Sequence, residues 1–228
     1  MDFILQGLAE AFTLLFTGDA ETFSAVAATL KVSGLSMAAS LTIGIPLGFA
    51  LGCLQFPGRR QARLVVDTLL SLPTVFIGLL VYAFISRQGP LGDMGLLFTL
   101  PGIAIGQTIL ALPIVIALSA TAVESLDTGL RTTLLSLGAG RRQLVLSTLW
   151  EARHAVLAAA LTAYGRVMTE VGISMMIGGN IKWDTRTITT AIALETGRGK
   201  FSTGMALGLV LLMIAFAVNA GVSFLRRR

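Results

Sequence analysis

Five apolar stretches, each about 20 residues long and almost free of charge, leave this chain one way to fold. They run over roughly Leu30–Leu54, Leu64–Ile85, Leu100–Val123, Ala155–Ile177 and Met205–Leu225. In hydrocarbon no water satisfies a peptide group, so such segments cross as helices whose hydrogen bonds are internal. With 54% of 228 residues hydrophobic, 13% charged and a mean hydropathy of +0.83, a soluble domain is excluded. The expected fold is all-α, a polytopic membrane helical bundle of about five transmembrane helices built from residues 30–228. Residues 1–29 read as a separate segment, where Phe3–Phe16 is apolar, short and interrupted by Gln6 and Glu10, as in an interfacial amphipathic helix. Asp2 and Glu10, with no basic stretch before the first apolar run, argue against a cleaved secretory signal.

Orientation follows from lysine and arginine, which accumulate on cytoplasmic loops. With the polar segment Leu130–Glu151 placed inside, Arg59, Arg60, Arg63, Arg131, Arg141, Arg142, Arg153 and the three C-terminal arginines are cytoplasmic. Lys31, Arg87, Lys182, Arg186, Arg198 and Lys200 then lie outside, and Arg166 falls within a span. An odd number of spans puts the N-terminus outside and the C-terminus in the cytoplasm. The net charge of +5 and the pI near 10.1 therefore record topology, and no nucleic-acid partner is expected. Cys53 is the sole cysteine, which excludes an intrachain disulfide.

Several residues inside or between the spans carry further information. Gly44, Gly48 and Gly52 recur at four-residue spacing and form a ridge against which another helix can pack closely. Pro46, Pro73, Pro101 and Pro113 each remove a backbone donor and are candidate kinks. Arg166 and Glu170 stand one helical turn apart within the fourth stretch, so they share a face and should pair toward the bundle interior. That pair is either a structural ion pair or one with a functional role inside the bundle. Between Gly178 and Thr203, Thr187, Ile188, Ala191, Ile192 and Leu194 have helical spacing and predict a short helix on the external face, ended by Gly197 and Gly199. Asn180, Lys182, Arg186, Thr187, Thr189 and Thr190 bring donors there that suit a tetrahedral oxyanion. The alternative is an interfacial helix that docks a partner or plugs a resting gate. His154, the sole histidine, has no cysteine or second histidine nearby and is read as structural.

The segment Leu130–Glu151 is polar and basic between two apolar runs, with Gly138 and Gly140 separating two stretches of good helix formers. It reads as two helices meeting at an angle on the membrane surface. It resembles the cytoplasmic coupling loop of ABC-importer permeases, matching its glycine at Gly138 and departing from its Glu-Ala-Ala start at Thr132 and Thr133 and from its Pro ending at Glu151. Trp150-Glu-Ala-Arg153, Tyr164-Gly-Arg-Val-Met-Thr-Glu-Val-Gly172, Gly178-Gly-Asn-Ile181 and Thr185-Arg-Thr-Ile-Thr-Thr-Ala-Ile192 resemble tungstate-type oxyanion importer permeases. The resemblance implies a type I ABC-importer permease fold in a prokaryotic inner membrane. It implies a homodimer, two cytoplasmic ATP-hydrolysing subunits that bind ATP and Mg, and an extracytoplasmic oxyanion-binding protein. Gly138 would set the coupling turn, with Arg141 and Arg142 either touching the ATPase or only anchoring the loop. Arg166, Glu170, Asn180, Arg186 and Thr187 would line the path or its gate. No Gly-rich phosphate loop ending in Lys and Ser or Thr occurs in the sequence, so the chain is not expected to be an enzyme. Tungstate is the expected cargo. Molybdate or sulfate is the alternative anion, and a self-contained secondary transporter the alternative class.

Overall fold

A computed structural model describes residues 13, 19–126 and 133–226, and every regular element among them is helical. The stretch Phe3–Phe16 and residues Leu130, Arg131 and Thr132 lie outside the described residues, apart from Thr13. The elements are α1 (Ala20–Cys53), α2 (Arg59–Leu69), α3 (Thr74–Ile85), a 3-10 turn (Gly92–Met94), α4 (Leu100–Glu124), α5 (Arg141–Met168), α6 (Gly172–Gly178), α7 (Ile188–Gly197) and α8 (Phe201–Arg226). Residues 133–136 form a further helical turn.

Helix α1 starts at Ala20, well before the expected Leu30, because Asp19 caps it. The Asp19 carboxylate accepts from the backbone N–H of Thr22 at 2.7 Å and from its hydroxyl at 2.6 Å, satisfying donors that a helix start leaves open. The expected second span Leu64–Ile85 is instead two helices, α2 and α3, bent by 98°. Pro73 explains the break: it has no N–H to donate and biases Leu72 away from helical geometry. The expected fourth span Ala155–Ile177 is interrupted after Met168 and resumes at Gly172, and its N-terminal part belongs to one unbroken helix from Arg141. The second arm of the basic segment is thus the first turns of α5, not a separate surface helix.

By contacts the chain divides into two compact units. One comprises residues 37–72 with 110–126 and 133–164. In it the C-terminal part of α1 packs along α4 in parallel, through the predicted glycine ridge. A β-carbon on Gly48 would lie 2.7 Å from the Ile116 carbonyl oxygen, and one on Gly52 would lie 2.8 Å from the Ala120 oxygen. Only glycine admits so close an approach of backbones. Ala62 and Val66 of α2 pack on Leu51, Ile116 and Ala120, and Ala152 and Val156 of α5 pack with Ala122 and Val123. Because α1 and α4 run parallel, the chain between them crosses back once, so the bent α2–α3 pair counts as one span. With the four long apolar helices α1, α4, α5 and α8, that gives the five crossings expected.

The other unit comprises residues 19–36, 73–109 and 165–226. Its centre holds Ile103, Ile173 and Ile177, all fully buried. Gly106 leaves room for Ile173 and Ile177, and Gly78 for Met176, so α3 and α4 both approach α6 closely. A second apolar cluster joins Ala25 of α1, Ile188 and Ala191 of α7, and Leu207 and Val210 of α8. The short helix expected on the external face therefore exists, capped by Thr187 and followed by Gly199 at φ 79°, but it is docked by one side onto α1 and α8. Phe216 and Leu212 of α8 are 73% and 65% exposed, as residues facing lipid tails are.

The ridge yields a paired test. Gly48→Ala should lower the stability of the detergent-solubilised protein by roughly 1–3 kcal/mol, the usual cost of overpacking. Gly34→Ala, where an added β-carbon meets nothing within 4 Å, should leave the thermal transition unchanged or raise it.

Candidate functional site

The interruption between α5 and α6 gathers most of the buried polar groups of its unit. Arg166, in the last turn of α5, donates through Nη1 to Glu170 Oε2 at 2.9 Å, so the pair expected from i,i+4 spacing forms. Its two members sit differently. The Glu170 side chain is 3% exposed and that of Arg166 43%, which places the carboxylate inside and leaves the guanidinium at an open surface. Glu170 Oε1 also accepts from the backbone N–H of Ile173 at 3.2 Å. The carboxylate thereby takes over a helix-start donor that the interruption would otherwise orphan. The Thr169 hydroxyl donates back to the carbonyls of Gly165 and Arg166.

From Glu170 the polar contacts spread to α6, α7, α4 and α1. The Glu170 carbonyl accepts from the hydroxyls of Ser174 at 3.3 Å and Thr189 at 3.0 Å. Ser174 Oγ accepts from Gln107 Nε2 at 3.3 Å, and Ser36 Oγ donates to Gln107 Oε1 at 3.4 Å. Thr189 meets Thr187 hydroxyl to hydroxyl at 3.0 Å, and Thr187 and Thr190 form a reciprocal cap at the start of α7. Thr29 of α1 accepts from the Ile188 N–H at 2.9 Å. All of these hydroxyls and the Gln107 amide are at least nine-tenths buried. Thr187 therefore spends its hydroxyl on the cap and on Thr189.

Between α6 and α7 the chain makes a turn stabilised by its own side chains. The Thr185 hydroxyl donates to the Gly178 carbonyl and accepts from the Ile181 N–H, while the Ile181 carbonyl accepts from the N–H groups of Asp184, Thr185 and Arg186. Asn180 and Trp183 adopt left-handed backbone, at φ 52° and 68°. Arg186 Nε donates to Asn180 Oδ1 at 3.2 Å, and Arg186 Nη1 is paired with Glu21 in the first turn of α1. Glu21 holds Lys182 Nζ as well, at 2.7 Å. Of the donors expected here, Lys182 and Arg186 are thus brought together on Glu21, with Arg186 only 13% exposed and also bonded to Asn180, whereas Thr187, Thr189 and Thr190 belong to the hydroxyl network.

In the other unit, the Gly138 turn has the geometry that its sequence implied. The Ala139 N–H reaches back to the Leu134 carbonyl and the Gly138 N–H to that of Leu135, with Gly138 at φ 77°. That is a Schellman ending, which requires a left-handed residue at the glycine position. Two residues later a new helix begins, and the Gln143 side chain accepts from the Gly140 N–H at 2.9 Å. Gly140 is thereby the cap, and Arg141 and Arg142 open α5, Arg142 exposed. Around the turn Leu135, Leu137, Leu146 and Trp150 are each more than half exposed. In the same unit Arg59 donates to the Leu51 and Gly52 carbonyls and to Glu124 Oε1 at 2.8 Å, which closes the C-terminal end of α1 and ties it to α4.

Sequence reasoning missed Gln107, Ser36 and Ser174, the bridge from α1 through α4 to α6. Gln107 is an amide amid 25 mostly apolar residues, a signal of an interhelical contact. It also missed Glu21 and Glu124, the acids that gather the arginines, because their partners are far off in sequence.

Residues 44–228 match the family described as binding-protein-dependent transport system inner membrane component. The chain is similar to the tungstate uptake system permease protein of Campylobacter jejuni, 48% identical over 96% of this chain and 92% of that one. It is 36% identical to the tungstate uptake system permease protein of Peptoclostridium acidaminophilum over 96% of each chain. Its fold is also that of a chain in the inward-facing MetNI methionine ABC transporter, with a TM-score of 0.73, 20% identity, and 91% and 95% of the two chains covered.

The Glu170 contacts predict different outcomes for two substitutions. Glu170→Ala removes the acceptor of a buried N–H and should cost about 2 kcal/mol, with little added by the half-exposed Arg166. Glu170→Gln keeps a carbonyl acceptor and should cost less than about 1 kcal/mol. Equal losses in thermal stability for the two variants would show that the carboxylate acts by charge alone.

Proposed function

Because the chain belongs to the family of binding-protein-dependent transport system inner membrane components, the permease subunits of ABC importers, we propose that it forms the membrane path for tungstate. The observation that carries the cargo is near-full-length likeness to two tungstate uptake permeases. The chain is a permease and not an enzyme. In this reading two copies pair, two cytoplasmic ABC subunits hydrolyse ATP with Mg, and an extracytoplasmic binding protein delivers the anion. The Gly138 turn faces the cytoplasm and the 178–187 turn the outside, with the N-terminus outside and the C-terminus inside.

Coupling follows from the way the Gly138 turn is built. The Schellman ending and the Gly140 cap hold two helix ends at a fixed angle, with Arg142 and exposed leucines displayed beside it. An ATPase subunit that moves this turn moves the start of α5. Because α5 is one helix from Arg141 to Met168, the push arrives at Arg166 with little loss in bending. There the helix stops, and the carboxylate of Glu170 links its end to the start of α6. The Arg166–Glu170 pair is the gating element of this scheme, and Asn180 and Arg186 belong to the outer part of the path, with Thr187 capping the helix beside them. A dianion passing Arg166 meets a charged donor that is already paired, so its hold there is weak and release is fast.

Two measurements test the assignment. The assembled complex with its binding protein should hydrolyse ATP faster on addition of tungstate, and no stimulation by any oxyanion would remove the cargo. Gly138→Val, a β-branched residue at a left-handed position, should insert into the membrane normally yet lose at least tenfold of that stimulation. Unchanged stimulation in this variant would remove the coupling role of the turn.

A further inference from the structure

A cavity of about 450 Å³ lies against the first turn of α1, the 178–187 turn, α7 and the start of α8. Its charged lining comprises Lys182, Arg186, Arg198 and Lys200 with Asp19, Glu21 and Glu195, an excess of one positive charge. The three acids are not equivalent. Asp19 is engaged in capping α1. Glu21 bridges Lys182 and Arg186, and Glu195 bridges Arg198 at 2.9 Å and Lys200 at 3.6 Å. Each of these two carboxylates therefore holds a pair of cations while satisfying few of their donors. A lysine offers three N–H groups and an arginine five. Lys182 gives one to Glu21, and Arg198 and Lys200 meet no acceptor but Glu195 among the described residues.

We propose that this cavity is a reception site for a tetrahedral oxyanion dianion, which competes with Glu21 and Glu195 for Lys182, Arg198 and Lys200. The proposal rests on the importer reading and on its orientation, which puts this face outside. Four oxygens with two negative charges match spare donors from two separate cation pairs better than either carboxylate can, because one carboxylate reaches only its own pair. The volume admits the anion with several waters, each of which takes about 30 Å³. Side chains of Lys182, Arg198 and Lys200 that are 47%, 55% and 64% exposed keep the site hydrated and its affinity low. The two carboxylates act as internal competitors that return the cations to their resting pairs when the anion moves on.

The full chain, held in lipid nanodiscs with its ATPase subunits and without the binding protein, tests this by equilibrium dialysis against tungstate and sulfate. Wild type should bind saturably and more weakly as salt is raised. A Lys182→Gln, Arg198→Gln double variant should weaken binding at least tenfold, and Glu195→Gln should tighten it about threefold or more by removing a competitor. A merely structural ion pair would not give that second, opposite change. Absence of saturable binding, or affinity that both variants leave unmoved, would overturn the proposal. So would loss of association with the binding protein in the double variant at unchanged oxyanion affinity, since the cavity would then seat a carboxylate of that protein. Tungstate-stimulated ATP hydrolysis, measured on the same preparation after adding the binding protein, reports on the importer reading separately. Stimulation without direct binding overturns the reception site alone, whereas direct binding without stimulation supports the site and overturns the cargo assignment.

Discussion

Peptide groups inside a membrane must find their partners within the protein, and at the interruption after Met168 the chain meets that requirement with the side chain of one residue. Glu170 answers it from both ends: its carboxylate takes Arg166 and the Ile173 N–H, and its carbonyl takes Ser174 and Thr189. One residue thus links the end of α5 to the start of α6 and to α7. Burying a carboxylate is costly unless charge and lone pairs are both satisfied, and the arginine one turn earlier supplies the charge without itself being buried. The remaining hydroxyls and the Gln107 amide extend the same solution toward α1 and α4.

Helices elsewhere in the protein are held by a different means. Along α1, Gly44 makes room for the Val115 side chain while Gly48 and Gly52 let α4 approach until backbone nearly meets backbone, and no polar side chain is needed for that contact. Dispersion between closely packed surfaces replaces the hydrophobic drive that lipid cannot give. A glycine contact holds only one register, whereas a chain of hydroxyls can exchange partners at little cost. The close-packed contact therefore suits a part that moves as a body, and the hydroxyl network suits one that rearranges.

What could be read from the sequence was what periodicity and composition encode. The five crossings, the glycine ridge, the Arg166–Glu170 pair, the Gly138 turn and the short helix ended by Gly199 all depend on neighbours within a few residues. The bend at Pro73 was indicated by its proline, but the apolar run continues across it, so composition alone joined α2 to α3. The stop at Met168 was hidden for a similar reason. Neither Thr169 nor Glu170 forbids helix, and the contact that marks the break, the Glu170 carboxylate on the Ile173 N–H, is not encoded by helix propensity. Glu21 with Arg186, and Arg59 with Glu124, could not be read at all, being pairs set by tertiary packing across 165 and 65 residues.

The two kinds of paired cation answer one physical demand in different settings. An arginine in or near a low-dielectric path attracts a dianion strongly, and a permease that holds its cargo strongly cannot release it. Pairing the cation with a carboxylate lowers the attraction without removing the donors. At Arg166 the partner is buried and backed by a helix-start N–H, so the pair is fixed and the guanidinium can offer only part of its charge. At Lys182, Arg198 and Lys200 both partners are partly open to water, and exchange of one acceptor for another is inexpensive. The exposure of the pair thus sets how readily it yields. On the proposed route, an anion arriving from outside would meet exchangeable pairs first and a fixed pair later, so early capture would not become late retention.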